Sequence, residues 1–259
     1  MIRLRKAKPI LLIAGGGTAG HLIPGLAVAD ALVKAGWPRE DIRFMGSERG
    51  VEQLMVPQAG FHLTTFQGRG YNRRQVSFQN LKNLLKLTVG ISKGVWSVYR
   101  INPAAVLCLG GYAALPASIG AVIKSTPLII SEQNAAASAT NRLLARFAKV
   151  SAVPTVGTGL VREVATGNPV RELVHEAKGN RNKTRTKRGW PESIQVVAIF
   201  GGSLGATSLN NAVWAASDQI AERPNVLFYH VVGERDWEER PEIPAENYVA
   251  VQYDHDLPN

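Results

Sequence analysis

Short apolar runs alternate along this chain with stretches whose apolar residues recur at helical spacing. Residues 10–14, 42–45, 63–66, 106–109 and 128–130 read as buried strands. Residues 22–32, 51–58, 78–100, 113–124 and 139–147 read as helices between or after them. This rhythm predicts a parallel sheet with helices on both faces. Around 155–167 the pattern thins into Gly, Thr and Val, and we place a domain boundary there, giving 1–160 and 161–259. Residues 179–189, with a basic run, read as a surface loop. The βαβ rhythm then restarts with a strand at 196–200, a helix at 210–220 and a strand at 227–232.

Two glycine-rich turns of one design punctuate this pattern. Residues 15–21, Gly-Gly-Gly-Thr-Ala-Gly-His, follow the first strand, and residues 201–206, Gly-Gly-Ser-Leu-Gly-Ala, follow the strand at 196–200. Glycine lets backbone come close to a ligand, and the helix that follows aims free N–H groups and its positive end at an anion. Two such turns predict an α/β protein of two Rossmann-like domains facing a shared cleft, the second left incomplete at Asn259.

The chain has 259 residues, 45% hydrophobic content and a formal charge of +10, which suits a folded α/β protein with anionic partners. No nucleic-acid reading module is present, so nucleic acid is not expected as a partner. Cys108 is the only cysteine, which excludes an intrachain disulfide and a multi-cysteine metal cluster. It lies in an apolar run as a buried thiol. The basic N-terminus imitates a signal peptide, but its apolar run is short and breaks into glycines. No stretch reaches the roughly 18–20 apolar residues that span a bilayer. The expected location is therefore the cytosol, with at most peripheral membrane contact.

The first turn formally matches the dinucleotide fingerprint at Gly15, Gly17 and Gly20, yet no acid closes the second strand, where Phe44-Met-Gly46 stands. A phosphate-loop lysine is missing too, since His21 follows Gly20. His21 falls where turn becomes helix, a position from which a neutral imidazole can accept a proton. Tyr112 follows one strand and Glu132, Gln133 and Asn134 follow the next, all at the carboxyl edge where open α/β sheets bind ligands. The carboxylate and two amides suit sugar hydroxyls. Arg171, after the turn Gly167-Asn-Pro-Val, could bind a diphosphate in bidentate fashion.

In this order, Gly-Gly-Thr-x-Gly-His, Gly-Gly-Tyr, Glu-Gln-Asn, Gly-Asn-Pro-Val-Arg and Gly-Gly-Ser-x-Gly-Ala resemble the MurG family of peptidoglycan glycosyltransferases. The resemblance implies a GT-B fold, with an acceptor site in the first domain and UDP-GlcNAc mostly in the second. It implies inverting transfer of N-acetylglucosamine to the 4-hydroxyl of lipid I, forming lipid II, with no bound metal and no cofactor. By position, Thr18, Ala19, Gly20, Asn134, Arg171 and Ser203 would contact UDP-GlcNAc, and His21 would be the general base. Tyr112, Glu132 and Gln133 would line the acceptor side. The lipid-linked acceptor further implies a peripheral site on the cytoplasmic membrane face and contact with anionic lipids. Leu81, Leu84, Leu85, Leu87 and Trp96, with Lys82, Lys86, Lys93, Arg73 and Arg74, are candidates for that contact. Two features depart from the family. Leu204 stands where glutamine is usual, and the family continues beyond residue 259 with further donor contacts and a terminal helix. A truncated, non-catalytic acceptor- or membrane-binding chain is the first alternative. A dinucleotide oxidoreductase is the second.

Overall fold

The computed structural model describes residues 9–66, 78–177, 179–202 and 205–254; the side chains of residues 78–87 lie outside that description. The chain forms two compact units, Met1–Glu172 and Leu173–Asn259.

In the first unit the apolar runs become β1 (Leu11–Ala14), β2 (Ile42–Ser47), β3 (His62–Phe66), β4 (Ala105–Cys108) and β5 (Leu128–Ser131). Two further strands, β6 (Val150–Val153) and β7 (Glu163–Ala165), extend the sheet. The order is β3-β2-β1-β4-β5-β6-β7, and every pairing is parallel. β7 pairs with β6 from Ser151↔Glu163 to Val153↔Ala165, so the first unit runs past residue 160. The helices are α1 (Ala19–Lys34), α2 (Glu52–Gln58), α3 (Phe78–Ile101), α4 (Leu115–Ile123) and α5 (Ala139–Ala145).

Period-two alternation divides the core between the sheet faces. Leu12 and Ala14 pack with Val106, Cys108, Ile130 and the α4 alanines, whereas Ile13 packs with Leu22, Leu26, Phe44 and Phe61. Strand order reverses direction at β1 and β4. Connections leave those two strands toward opposite sides, which opens a crevice at their carboxyl ends.

The second unit holds α6 (Glu172–Ala177, whose first residue closes the first unit), α7 (Arg181–Arg188), β8 (Gln195–Phe200), α8 (Thr207–Ala215), α9 (Ser217–Ala221), β9 (Val226–Val231) and β10 (Tyr248–Val251). Its strands form a parallel sheet of order β10-β9-β8. The second unit departs from the sequence expectation at three points. Residues 179–189 are mostly helix, because arginine and lysine are good helix formers and Gly189 closes α7 in the left-handed region at φ 68°. Nor is the basic run wholly solvated: Arg185 is buried and donates to the carbonyls of Pro191, Glu192 and Ile194. The single helix expected at 210–220 is two, broken at Ala216.

Candidate functional site

β1 ends at the buried Ala14, and the chain turns at once. A methyl group on Gly15 would lie 2.7 Å from Leu109 Cβ, and one on Gly16 would lie 2.5 Å from the Glu52 carboxyl carbon. Glu52, in the first turn of α2, is fully buried. Its Oε2 accepts the Gly17 N–H at 2.8 Å and its Oε1 accepts the Ser47 N–H at 2.7 Å. The first turn therefore spends one of its main-chain donors on a carboxylate of the protein itself.

Thr18 is the N-cap of α1, with φ −136° and ψ 155°, but its hydroxyl makes no capping bond to the helix. Instead Oγ1 lies 3.0 Å from His21 Nδ1, three residues on. That pairing has a chemical consequence. When Nδ1–H donates to Oγ1, the lone pair of Nε2 is left to accept a proton. His21 is half-buried, and its ring lies 4.0 Å from where a Gly111 side chain would start, so the turns after β1 and β4 meet around it. Tyr112 packs against Gly17 and donates its hydroxyl to Ser47 Oγ at 3.1 Å. Thr18 and Gly20 are exposed and Ala19 is half-buried. A methyl group on Gly20 would meet nothing within 4 Å.

After β5, the three polar residues expected to face a ligand divide their tasks. Glu132 is 2% exposed, and its two oxygens accept five N–H donors. They come from Gln133 and Asn134 main chain, Asn134 side chain, Ser138 main chain and Asn141 side chain. Burial works to raise its pKa, but the Ser138, Asn134 and Asn141 donors outweigh it, and the net shift is downward. Saturated in this way, Glu132 braces the loop instead of lining an open surface. Gln133 turns its amide nitrogen back onto Ser131, and its main-chain carbonyl accepts from Asn168. Asn134 is exposed; Glu132 holds its Nδ2, leaving its Oδ1 outside the network. Asn141 also reaches the buried Cys108 thiol, whose pKa burial raises.

Arg171 is exposed and falls within the first unit, one residue before α6, not in the second domain where sequence expectation put it. Ser203 and Leu204 lie outside the described residues. The Gly205 N–H donates to Gly202 O at 3.0 Å, and a methyl group on Gly205 would run into the Val232 carbonyl oxygen.

The second unit also holds a buried polar chain that sequence reading missed. Asn210 donates to Val232 O and Asp236 Oδ2, so its Oδ1 is the acceptor that faces His230 Nε2 at 3.0 Å. His230 therefore carries its proton on Nε2, and Nδ1 accepts from Tyr248 at 2.8 Å. Thr207 and Arg235 complete Asp236, whose pKa is lowered first by the Arg235 bond. Burial lowers the His230 pKa. Glu52 was missed for a related reason: its partner Gly17 stands 35 residues away.

Two parallel α/β sheets, each with a glycine turn between a strand and a helix, define the GT-B class of fold. The solved structures agree. The chain is similar to Acinetobacter baumannii MurG, with TM-score 0.69 and 23% identity over 96% of this chain and 70% of that one. It is also similar in fold to UDP-GlcNAc 2-epimerase from Neisseria meningitidis, with TM-score 0.60 and 13% identity over 96% of this chain and 73% of that one. The profile of the glycosyltransferase family 28 N-terminal domain matches residues 11–153, and that of the C-terminal domain matches residues 196–259. The chain belongs to glycosyltransferase family 28 and, within it, to the MurG family. Similar sequences include two named UDP-N-acetylglucosamine–N-acetylmuramyl-(pentapeptide) pyrophosphoryl-undecaprenol N-acetylglucosamine transferase. That of Moorella thermoacetica is 36% identical over 88% of this chain, and that of Salinibacter ruber is 33% identical over 93%. The chain spans 62% of the length of the first relative and 67% of the second.

Proposed function

We propose that the chain performs inverting transfer of N-acetylglucosamine from UDP-GlcNAc to the 4-hydroxyl of the muramoyl unit of lipid I, forming lipid II. The observation that carries this reading is the Thr18–His21 pair at the mouth of the crevice, beside a Gly20 that leaves room for a ligand. His21 Nε2 draws the proton from the 4-hydroxyl while that oxygen attacks the anomeric carbon. The bond from this carbon to the UDP oxygen breaks, its electron pair leaves with UDP, and the configuration inverts.

Charge developing on the departing diphosphate needs positive partners. Arg171, in the first unit, offers a guanidinium, and the start of α8, in the second unit, offers main-chain N–H groups, with Ser203 as a further donor contact. Either kind of partner supplies this stabilisation without a metal in the step. Thr18, Ala19, Gly20 and Asn134 contact the donor; Tyr112 and Gln133 serve the acceptor side, with Glu132 bracing the loop that carries Gln133. A dinucleotide is a poorer occupant of the first turn, because the Gly17 N–H is already taken by the buried Glu52 carboxylate. We further infer peripheral binding at the cytoplasmic membrane face through anionic lipids. Trp96 is 59% exposed and stacks under Arg100, with Lys93 on the same helix. Arg73, Arg74, Leu81, Lys82, Leu84, Leu85, Lys86 and Leu87 have positions or side chains outside the described residues.

The test is transfer of labelled N-acetylglucosamine from UDP-GlcNAc to a short-chain lipid I analogue by this chain. Labelled product supports the reading. A folded chain that binds UDP-GlcNAc but forms no product is a binding fragment, and the proposal of catalysis by this chain is then abandoned.

A further inference from the structure

Buried carboxylates are costly unless something on the protein compensates them. Glu52 is fully buried, has no ion-pair partner among the described residues, and is held by two main-chain N–H groups from different segments. Three glycines form its seat. A methyl group on Gly46 would lie 2.7 Å from Glu52 Cγ, one on Gly16 would lie 2.5 Å from its carboxyl carbon, and one on Gly50 would run into Oε2. Neither Gly46 nor Gly50 has a positive φ, so their backbone alone would accept another residue. The carboxylate is what excludes one.

We propose that Glu52 is a positioning residue for the transfer reaction, tying the turn after β1 to the turn after β2 and thereby fixing where Thr18 and His21 stand. The inference rests on the function proposed above. The geometry runs through short links: Gly17 is bonded to Glu52 on one side and precedes the N-cap Thr18 on the other, and Thr18 orients the His21 ring. Tyr112, which packs on Gly17, is tied to Ser47, the other residue that Glu52 holds. One buried side chain thus braces both turns that flank His21. Glutamine has nearly the same shape but only one acceptor oxygen. In Glu52→Gln an N–H of the new amide faces a main-chain N–H, and one of the two segments is released.

The experiment has two arms on the whole chain. In the kinetic arm, Glu52→Gln lowers kcat by about 10- to 100-fold, the scale of a small displacement of reacting groups, while KM for UDP-GlcNAc changes by less than about threefold. The second arm needs no substrate. In the unmutated chain the Gly17 amide proton resonates downfield and exchanges slowly, as a donor to a carboxylate does. In Glu52→Gln that signal moves upfield and the His21 imidazole nitrogens shift. A fast-exchanging Gly17 amide in the unmutated chain overturns the proposal even if the variant fails to fold. So does a folded variant with unchanged His21 signals or a kcat within twofold of the parent. If the unmutated chain transfers nothing, the activity reading fails, and the resonance arm still decides whether Glu52 fixes His21.

Discussion

At Gly20 an added methyl group would meet no neighbour, and the residue sits in the first turn of a regular helix. Packing therefore does not demand glycine there, and helix propensity argues against it. Gly20→Ala should stabilise the chain by up to about 0.5–1 kcal/mol and weaken UDP-GlcNAc binding, as urea unfolding and calorimetric titration would register. A variant both more stable and equally tight-binding would remove Gly20 from the donor site. His21→Ala should cost about 100- to 10,000-fold in turnover, the range of a general base, with much less change in donor affinity. Unchanged turnover would end that assignment. These residues were legible in the sequence because each follows a glycine turn at a strand end. Glu52 and Asn210 were not, since what gives them meaning is a partner far along the chain.

At the level of elements, the two buried polar networks respond to acid in different windows. His230 has a lowered pKa in the fold, so the unfolded chain binds its proton first. Its contribution is complete above the ordinary histidine value of about 6.5 and is lost as pH falls below it. Glu132 is also lowered, and the same sign applies around the ordinary carboxylate value of about 4.3. Acidification should therefore loosen β8–β9–α8 before the loop between β5 and α5. Amide exchange followed from pH 7.5 to 4 checks this order, and simultaneous loss would contradict it. β1, β4 and β5 were readable because they are largely buried and their sequences are almost continuously apolar. β7, Glu-Val-Ala, is short, half-exposed and at a sheet edge, and it carried no such signal. α7 has basic residues around most of its surface and no apolar stripe to betray a helix.

For the molecule as a whole, a formal charge of +10 acts beyond any single site. Together with the exposed Trp96 beside Arg100, it leads us to expect adsorption to vesicles containing phosphatidylglycerol, weakening as salt rises from 50 to about 500 mM. Trp96→Ala should reduce binding at all salt concentrations. Flotation or tryptophan fluorescence would measure both effects, and salt-independent or undetectable adsorption would count against the membrane proposal. The fold class and the order of its parts were visible in sequence, since the two glycine turns mark equivalent points in two sheets. The boundary after Glu172 was not, because only pairing with β6 assigns residues 163–165 to the first unit.

The seat of Glu52 also bears on how this sequence can change over generations. With the carboxylate in place, a side chain at position 46 or 50 has nowhere to go. With the carboxylate shortened, the same side chain would fill the space left behind. A substitution at position 46 or 50 that clashes while Glu52 is present is thus accommodated once Glu52 has been shortened, so the order in which these positions change matters.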